Sequence, residues 1–177
     1  SPTTIPLNGT GVAATNPTMT VAFAPTNVVP GANSTMTLTL TTPEASPAFI
    51  SGGSITIPAG LVATPPGSNS CGTFGSVSTG VYSFGMGFIP AMGSCTIALT
   101  VQSPTPGTYT ANIAAGALSA GSGTNTNTST ATLTVAVPAP VITSPLTASG
   151  TVGTPFTYNT LATNTPTSYN ATGLPAG

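Results

Sequence analysis

The chain has 177 residues, with no Lys, Arg or His and a single acidic residue, Glu44, so charged residues make up 1% of it. With no cation to set against phosphate, nucleic acid and anionic membrane surfaces are excluded as partners, and no apolar run approaches the roughly 20 residues of a transmembrane helix. A hydrophobic fraction of 39%, rich in Val and Ile and accompanied by many threonines, predicts a folded, mostly β chain and not a disordered one.

Residues 1–16 open with "SPTTIPLNGTGVAAT", whose prolines and glycines make a weak strand suited to an edge or a donor position. Ser1 in place of Met reads as a processed, exported N-terminus. From residue 17 the pattern alternates with period two, as half-buried strands do. Thr18–Phe23 is the first such segment. Thr35–Thr41 follows, placing Met36, Leu38 and Leu40 on one face and only threonines on the other. Ser54–Ile57 is short and stops at Pro58. Val81–Ile89 puts Tyr82, Phe84, Met86 and Phe88 on one face and Gly85 and Gly87 on the other. Cys95–Val101, Gly107–Ile113 and Thr130–Val137 complete the series. The clusters "APTNVVPGANS", "IPAG", "ATPPGSNS" and "SPTPG" read as turns, "AAGALSA" as one helical turn, and "GSGTNTNTST" as a low-complexity loop.

Seven short strands separated by turn signals predict an all-β fold, an immunoglobulin-like β-sandwich over residues 17–137. Its inner faces would hold Met36, Leu38, Leu40, Phe84, Phe88, Ile97, Leu99, Leu133 and Val135, with Thr and Ser outside. At "VPAPVITS" the pattern resets behind Pro138 and Pro140. Residues 138–177 then offer three further strand candidates, "VITS", "PFTYNTLA" and "TSYNAT", and close on the turn "LPAG" at Gly177. A segment of about 40 residues is at the limit of independent folding. It is therefore expected to be a partial β-domain, completed by packing on the first, by another chain or by continuation of its own.

Catalysis has little to work with. A Ser or Thr nucleophile needs a base, a glycosidase needs two carboxylates, and Glu44 in "TTPEASP" reads as an exposed loop residue. No catalytic residue, metal site or cofactor is expected. Cys71 and Cys95 are too few to hold a metal without His, and an even count in an exported chain points to one disulfide. The stripe Tyr82, Phe84, Phe88 is either a sugar-stacking platform or core, the latter favoured by the weight of aromatic residues in burial. Gly85 and Gly87 mark either a bulge or the close approach of another backbone. The threonine faces fit exposed strands, or a hydroxyl surface for ice or polysaccharide. Asn8, Asn33, Asn127 and Asn170 each begin an Asn-x-Ser/Thr triplet, of the kind that arises by chance in so Thr/Asn-rich a chain.

Two stretches resemble known families. "FAPTNVVPGANSTMTLTLT", "IPAGLVATPP", "CGTF", "IPAMGSCTIALTV" and "GTYTANIAAGALS" resemble a β-sandwich repeat of large bacterial secreted surface proteins, over about residues 17–136. That resemblance implies architecture and a cell-surface location, no chemistry, and it supports the disulfide. "APVITSPLTASGTVGTPFTYNTLATNTPTSYNATGLPAG" resembles the first half of the immunoglobulin-like domains called He-PIG, over about residues 139–177.

The expected function is that of a secreted structural protein of a filament or biofilm matrix, polymerising with itself by strand complementation. Val141, Ile142, Phe156, Tyr158 and Tyr169 are the candidate apolar anchors. The alternatives are an adhesion or ligand-binding module of a larger bacterial surface protein, and an ice- or polysaccharide-binding threonine face. Reduction gives a direct check on the cysteines. Opening a Cys71–Cys95 bridge is expected to cost about 3 kcal/mol and to lower the melting temperature with the β-sheet signal kept. Two free thiols in the native protein, found by alkylation and mass spectrometry, would overturn the pairing.

Overall fold

A computed structural model describes residues 15–170 and 172; residues 1–14 of the N-terminal extension and the "LPAG" turn lie outside the described residues. The chain divides into two compact units, Ser1–Ala136 and Val137–Gly177.

The first unit is all β. In chain order its strands are β1 (Thr18–Ala24), β2 (Asn27–Val28), β3 (Asn33–Thr42), β4 (Ala48–Thr56), β5 (Val62–Asn69), β6 (Phe74–Ser78), β7 (Val81–Gly85), β8 (Gly87–Ile89), β9 (Gly93–Gln102), β10 (Gly107–Ile113), β11 (Leu118–Ala120), β12 (Gly123–Thr124) and β13 (Ser129–Val135). One sheet runs β1-β3-β9-β5, all antiparallel. A second runs β12-β11-β4-β7-β6, with β8 also on β4. A third runs β10-β13-β2, the last pair parallel. Strand β5 falls on the turn signal "ATPPGSNS", and β6 falls in a stretch where no strand is expected. "AAGALSA" is a turn leading into β11, not helix.

All three sheets share one core. Met36, Leu38 and Leu40 of β3 meet Ile97, Leu99 and Val101 of β9, Ile50 and Ile55 of β4, Tyr82 and Phe84 of β7, and Leu133 and Val135 of β13, all buried. Burying each such side chain stabilises the fold by about 1.5–3 kcal/mol. Tyr109 adds a corner found in immunoglobulin-type sandwiches. Its hydroxyl donates to the Thr105 carbonyl at 2.8 Å and shares a bond with the buried Ser103 hydroxyl.

Phe88 departs from the expected core and is 56% exposed. Met86 is the cause. It takes a φ of 63°, its N–H bonds to the Ile50 carbonyl, and it separates β7 from β8 as an inserted residue. One inserted residue inverts the alternation. Gly87 therefore turns inward and Phe88 outward, where Phe88 meets Phe49 edge-on with ring centroids 5.3 Å apart. Close backbone approach operates at the same place. The Phe88 N–H bonds to the Cys71 carbonyl at 2.9 Å, and a side chain at Gly87 would run into that same carbonyl.

The low-complexity stretch is organised by its amides. Asn125 is 1% exposed. Its side chain accepts from the Leu118 N–H at 2.8 Å and donates to the carbonyls of Ala114 and Asn127. Cys71 and Cys95 form a disulfide, with Cα atoms 5.0 Å apart, that ties the β5–β6 loop to β9.

Two outcomes follow from these contacts. Asn125→Ala strands the buried Leu118 N–H and removes the side-chain donor of the Asn127 carbonyl, while the Ala114 carbonyl keeps the Ala117 N–H, so it should lower stability by about 2 kcal/mol in denaturant melts; a loss within experimental error would show that solvent reaches the site. Tyr82 is fully buried, and among the described residues its hydroxyl has no hydrogen-bond partner. Burial raises its phenol above the ordinary value of 10.0. The unfolded phenol then ionises first, so stability holds below about pH 10 and is lost as pH rises through the higher folded-state value. Tyr82→Phe should add about 1 kcal/mol at neutral pH and shrink the alkaline loss seen in melts above about pH 10. A variant that is less stable at pH 7 contradicts the unpartnered hydroxyl.

Candidate assembly surfaces

A β-sandwich without charge meets its surroundings through strand edges, sheet faces and whatever apolar side chains stay outside. The edges are treated unequally. Along β1, Asn127 accepts from the Met19 N–H and donates to the Met19 carbonyl at 2.8 Å, and Ser129 accepts from the Val21 N–H. Three of the backbone groups that β1 turns away from β3, the Met19 N–H and carbonyl and the Val21 N–H, are thereby satisfied by side chains. Asn127, which reads in the sequence as a chance glycosylation triplet, is a structural clamp. On the opposite edge of that sheet, β5 loses N–H groups at Pro65 and Pro66, and its register with β9 shifts between Thr64 and Ser68.

The edge at β6 carries no such device. Ser78 and Val81 flank a two-residue turn whose residues, Thr79 and Gly80, both have positive φ, as the tight hairpin turn requires. In such a hairpin the flanking pair exchanges hydrogen bonds, and every second pair after it does the same. Gly75 and Val77 therefore point their N–H and C=O groups off the sheet, where no backbone partner occurs among the described residues. Beside them lies a shallow hollow of about 410 Å3, lined by Phe74, Gly75, Ser76, Ser83 and Phe84. Phe74 stands 76% exposed at its rim.

The outer face of the first sheet is a registered hydroxyl surface. Thr20, Thr39 and Thr96 lie opposite one another across β1, β3 and β9, and Thr35, Thr100 and Thr64 across β3, β9 and β5. Glu44 is half-buried and not the free loop residue its flanking prolines suggest. Its carboxylate accepts from the N–H and hydroxyl of Thr15.

The second unit differs in kind. The three expected strands do not form over the described residues: one antiparallel bridge, Ile142↔Ala162, is present. Around it Thr143 N–H bonds to the Leu161 carbonyl and Thr163 N–H to the Val141 carbonyl. Prolines at 138, 140, 145, 155 and 166 remove ladder donors throughout the segment. No large apolar side chain of its described residues is buried, and Ser144 is its one buried residue. Of the anchor candidates, Ile142, Tyr158 and Tyr169 line a groove of about 470 Å3. Val141 and Phe156 lie outside that lining and are exposed. The Tyr158 hydroxyl donates to the Pro145 carbonyl. The exposure of β6 escapes sequence reading, because which strand ends a sheet is not written in its own residues.

Among the described residues no helix is long and apolar enough to cross a membrane. No curated protein matches the chain. Among solved structures, a non-cellulosomal cohesin from the hyperthermophilic archaeon Archaeoglobus fulgidus is 9% identical, with a TM-score of 0.49 over 70% of this chain and 93% of its own. The seventh ScaB type I cohesin from Pseudobacteroides cellulosolvens is 14% identical, with a TM-score of 0.45 over 75% of this chain and 98% of its own. BslA, a bacterial hydrophobin, is 14% identical, with a TM-score of 0.39 over 70% of this chain and 95% of its own. Residues 17–135 match a family described as a domain of unknown function, DUF7933; the match leaves the He-PIG resemblance of the C-terminal segment resting on that segment's residues alone. With well over half of its residues in that match, the chain belongs to the DUF7933 family.

Proposed function

We propose that this protein is a secreted structural subunit of an extracellular filament or matrix, and that its copies join by β-strand complementation with the C-terminal unit as donor. One observation carries the reading: among its described residues the second unit buries no large apolar side chain. Val141, Ile142, Leu146, Val152, Phe156 and Leu161 are each at least half exposed. A segment that cannot bury its apolar side chains alone gains from a partner that covers them. The composition supports association between copies, since a net charge of −1 leaves almost no repulsion between them and no Lys guards the strand edges. A disulfide supports an oxidising, extracellular location.

A second reading rests on the registered threonine rows, which present methyl and hydroxyl groups on a flat, uncharged face to a neutral surface such as ice or a polysaccharide. It calls for binding without polymerisation.

Deletion of residues 137–177 separates the two readings. The remaining first unit should keep its β-sheet spectrum and its cooperative melt but sediment as a monomer, while the full chain forms filaments visible by electron microscopy. Filaments of the full chain should resist high NaCl and be favoured by sulfate, because apolar burial and ladder hydrogen bonds hold them and not ion pairs. A truncated protein that still forms the same filaments removes the donor role of the C-terminal unit.

A further inference from the structure

We propose that the free edge of β6 is the acceptor for strand addition, and that the Pro155–Leu161 stretch of a second copy occupies it. The inference rests on the assembly reading above and adds where the joint is made. Among the edges of the three sheets, β1 is clamped by Asn127 and Ser129, β5 is interrupted by Pro65 and Pro66, β2 and β12 are two residues long, and β10, free like β6, carries no exposed large apolar side chain to anchor a neighbour. Strand β6 has five residues, no proline, no charge and no clamp. Its outward-pointing groups at Gly75 and Val77 are those an added strand would pair.

The hollow beside Gly75 supplies the specificity. The Tyr82 ring fills the space over Gly75 on the core side, and the hollow opens on the other side, where the exposed Phe74, Ser76 and Ser83 stand. An added strand presents alternate side chains to one face. In "PFTYNTL" those are Phe156 and Tyr158, respectively 56% and 42% exposed. Among the described residues the N–H groups of Phe156 to Thr160 make no backbone hydrogen bond. Donor and acceptor are both uncharged, so a second copy meets the edge without a desolvated charge on either side. Phe156 would enter the hollow on the face of Phe74, Ser76 and Ser83, while Thr157 would face the Val77 side of the sheet.

The test uses the full chain. Ser76→Lys with Ser78→Lys places charge on the exposed side of β6 and leaves the core untouched. This variant should melt as the wild type does yet sediment as a monomer. Thr108→Lys with Thr110→Lys, on the free edge of β10, is the control and should still polymerise. Independently, Val77→Cys combined with Thr157→Cys should give a ladder of inter-copy disulfides on a non-reducing gel, mapped to those two positions by peptide mass spectrometry. If the β6 lysines leave filaments intact, or only the β10 lysines abolish them, β6 is not the acceptor. If either happens while removal of residues 137–177 still abolishes assembly, this inference falls and the donor reading stands. A wild-type chain that stays monomeric overturns both.

Discussion

Backbone N–H and C=O groups at the rim of a sheet need partners, and this chain has almost no charged side chain either to satisfy them or to keep other strands away. That constraint shapes the molecule. In ordinary sandwiches Lys and Glu at the edges hydrate the rim and repel neighbours. Here neutral amides and hydroxyls take over, held in place by the fold. Asn127 satisfies both backbone groups of Met19, and Asn125 gathers the turn before β11 around itself. Both depend on position: an amide can donate and accept at once, but only if the chain brings it to the edge it serves.

The same constraint explains why the edges differ. Neutral groups can cap an edge locally, yet they exert no repulsion at a distance. An edge with no local cap is therefore open, and β6 is such an edge. Gly75 is the residue that fits there, because any larger one would meet Tyr82. The stacked pair of Tyr82 and Phe84, with ring centroids 5.7 Å apart, fills the space that the glycines of neighbouring strands leave. The Cys71–Cys95 bridge fixes the loop leading into β6, so the edge is presented from a tethered base.

The second unit follows from the same lack of charge and from its prolines. Prolines remove ladder donors along it, and among its described residues no large apolar side chain is buried. Its apolar side chains stay outside, and its order rests on a few bonds around one bridge.

Much of the sandwich was legible in its residues. Period-two alternation in Thr35–Thr41, Cys95–Val101 and Gly107–Ile113 dictates which side chains face in, because successive residues of a strand point to opposite faces. The strand class, the threonine exterior and most of the core follow from that rule alone. It fails where a single residue breaks the count: Met86 bulges, Phe88 turns out, and no local signal separates that from continued alternation. It also misses β5, whose Pro, Gly and Ser read as a turn, and β6, whose small residues show no strand signal; both become strands because β9 and β7 stand beside them. The clamp by Asn127 and the burial of Asn125 join positions far apart in the chain, and they are invisible without the tertiary structure. So is the free edge of β6, because an edge is defined by the neighbour a strand lacks. Composition by itself determined that the surface would be neutral; only the three-dimensional arrangement decided which part of that surface was left unpaired.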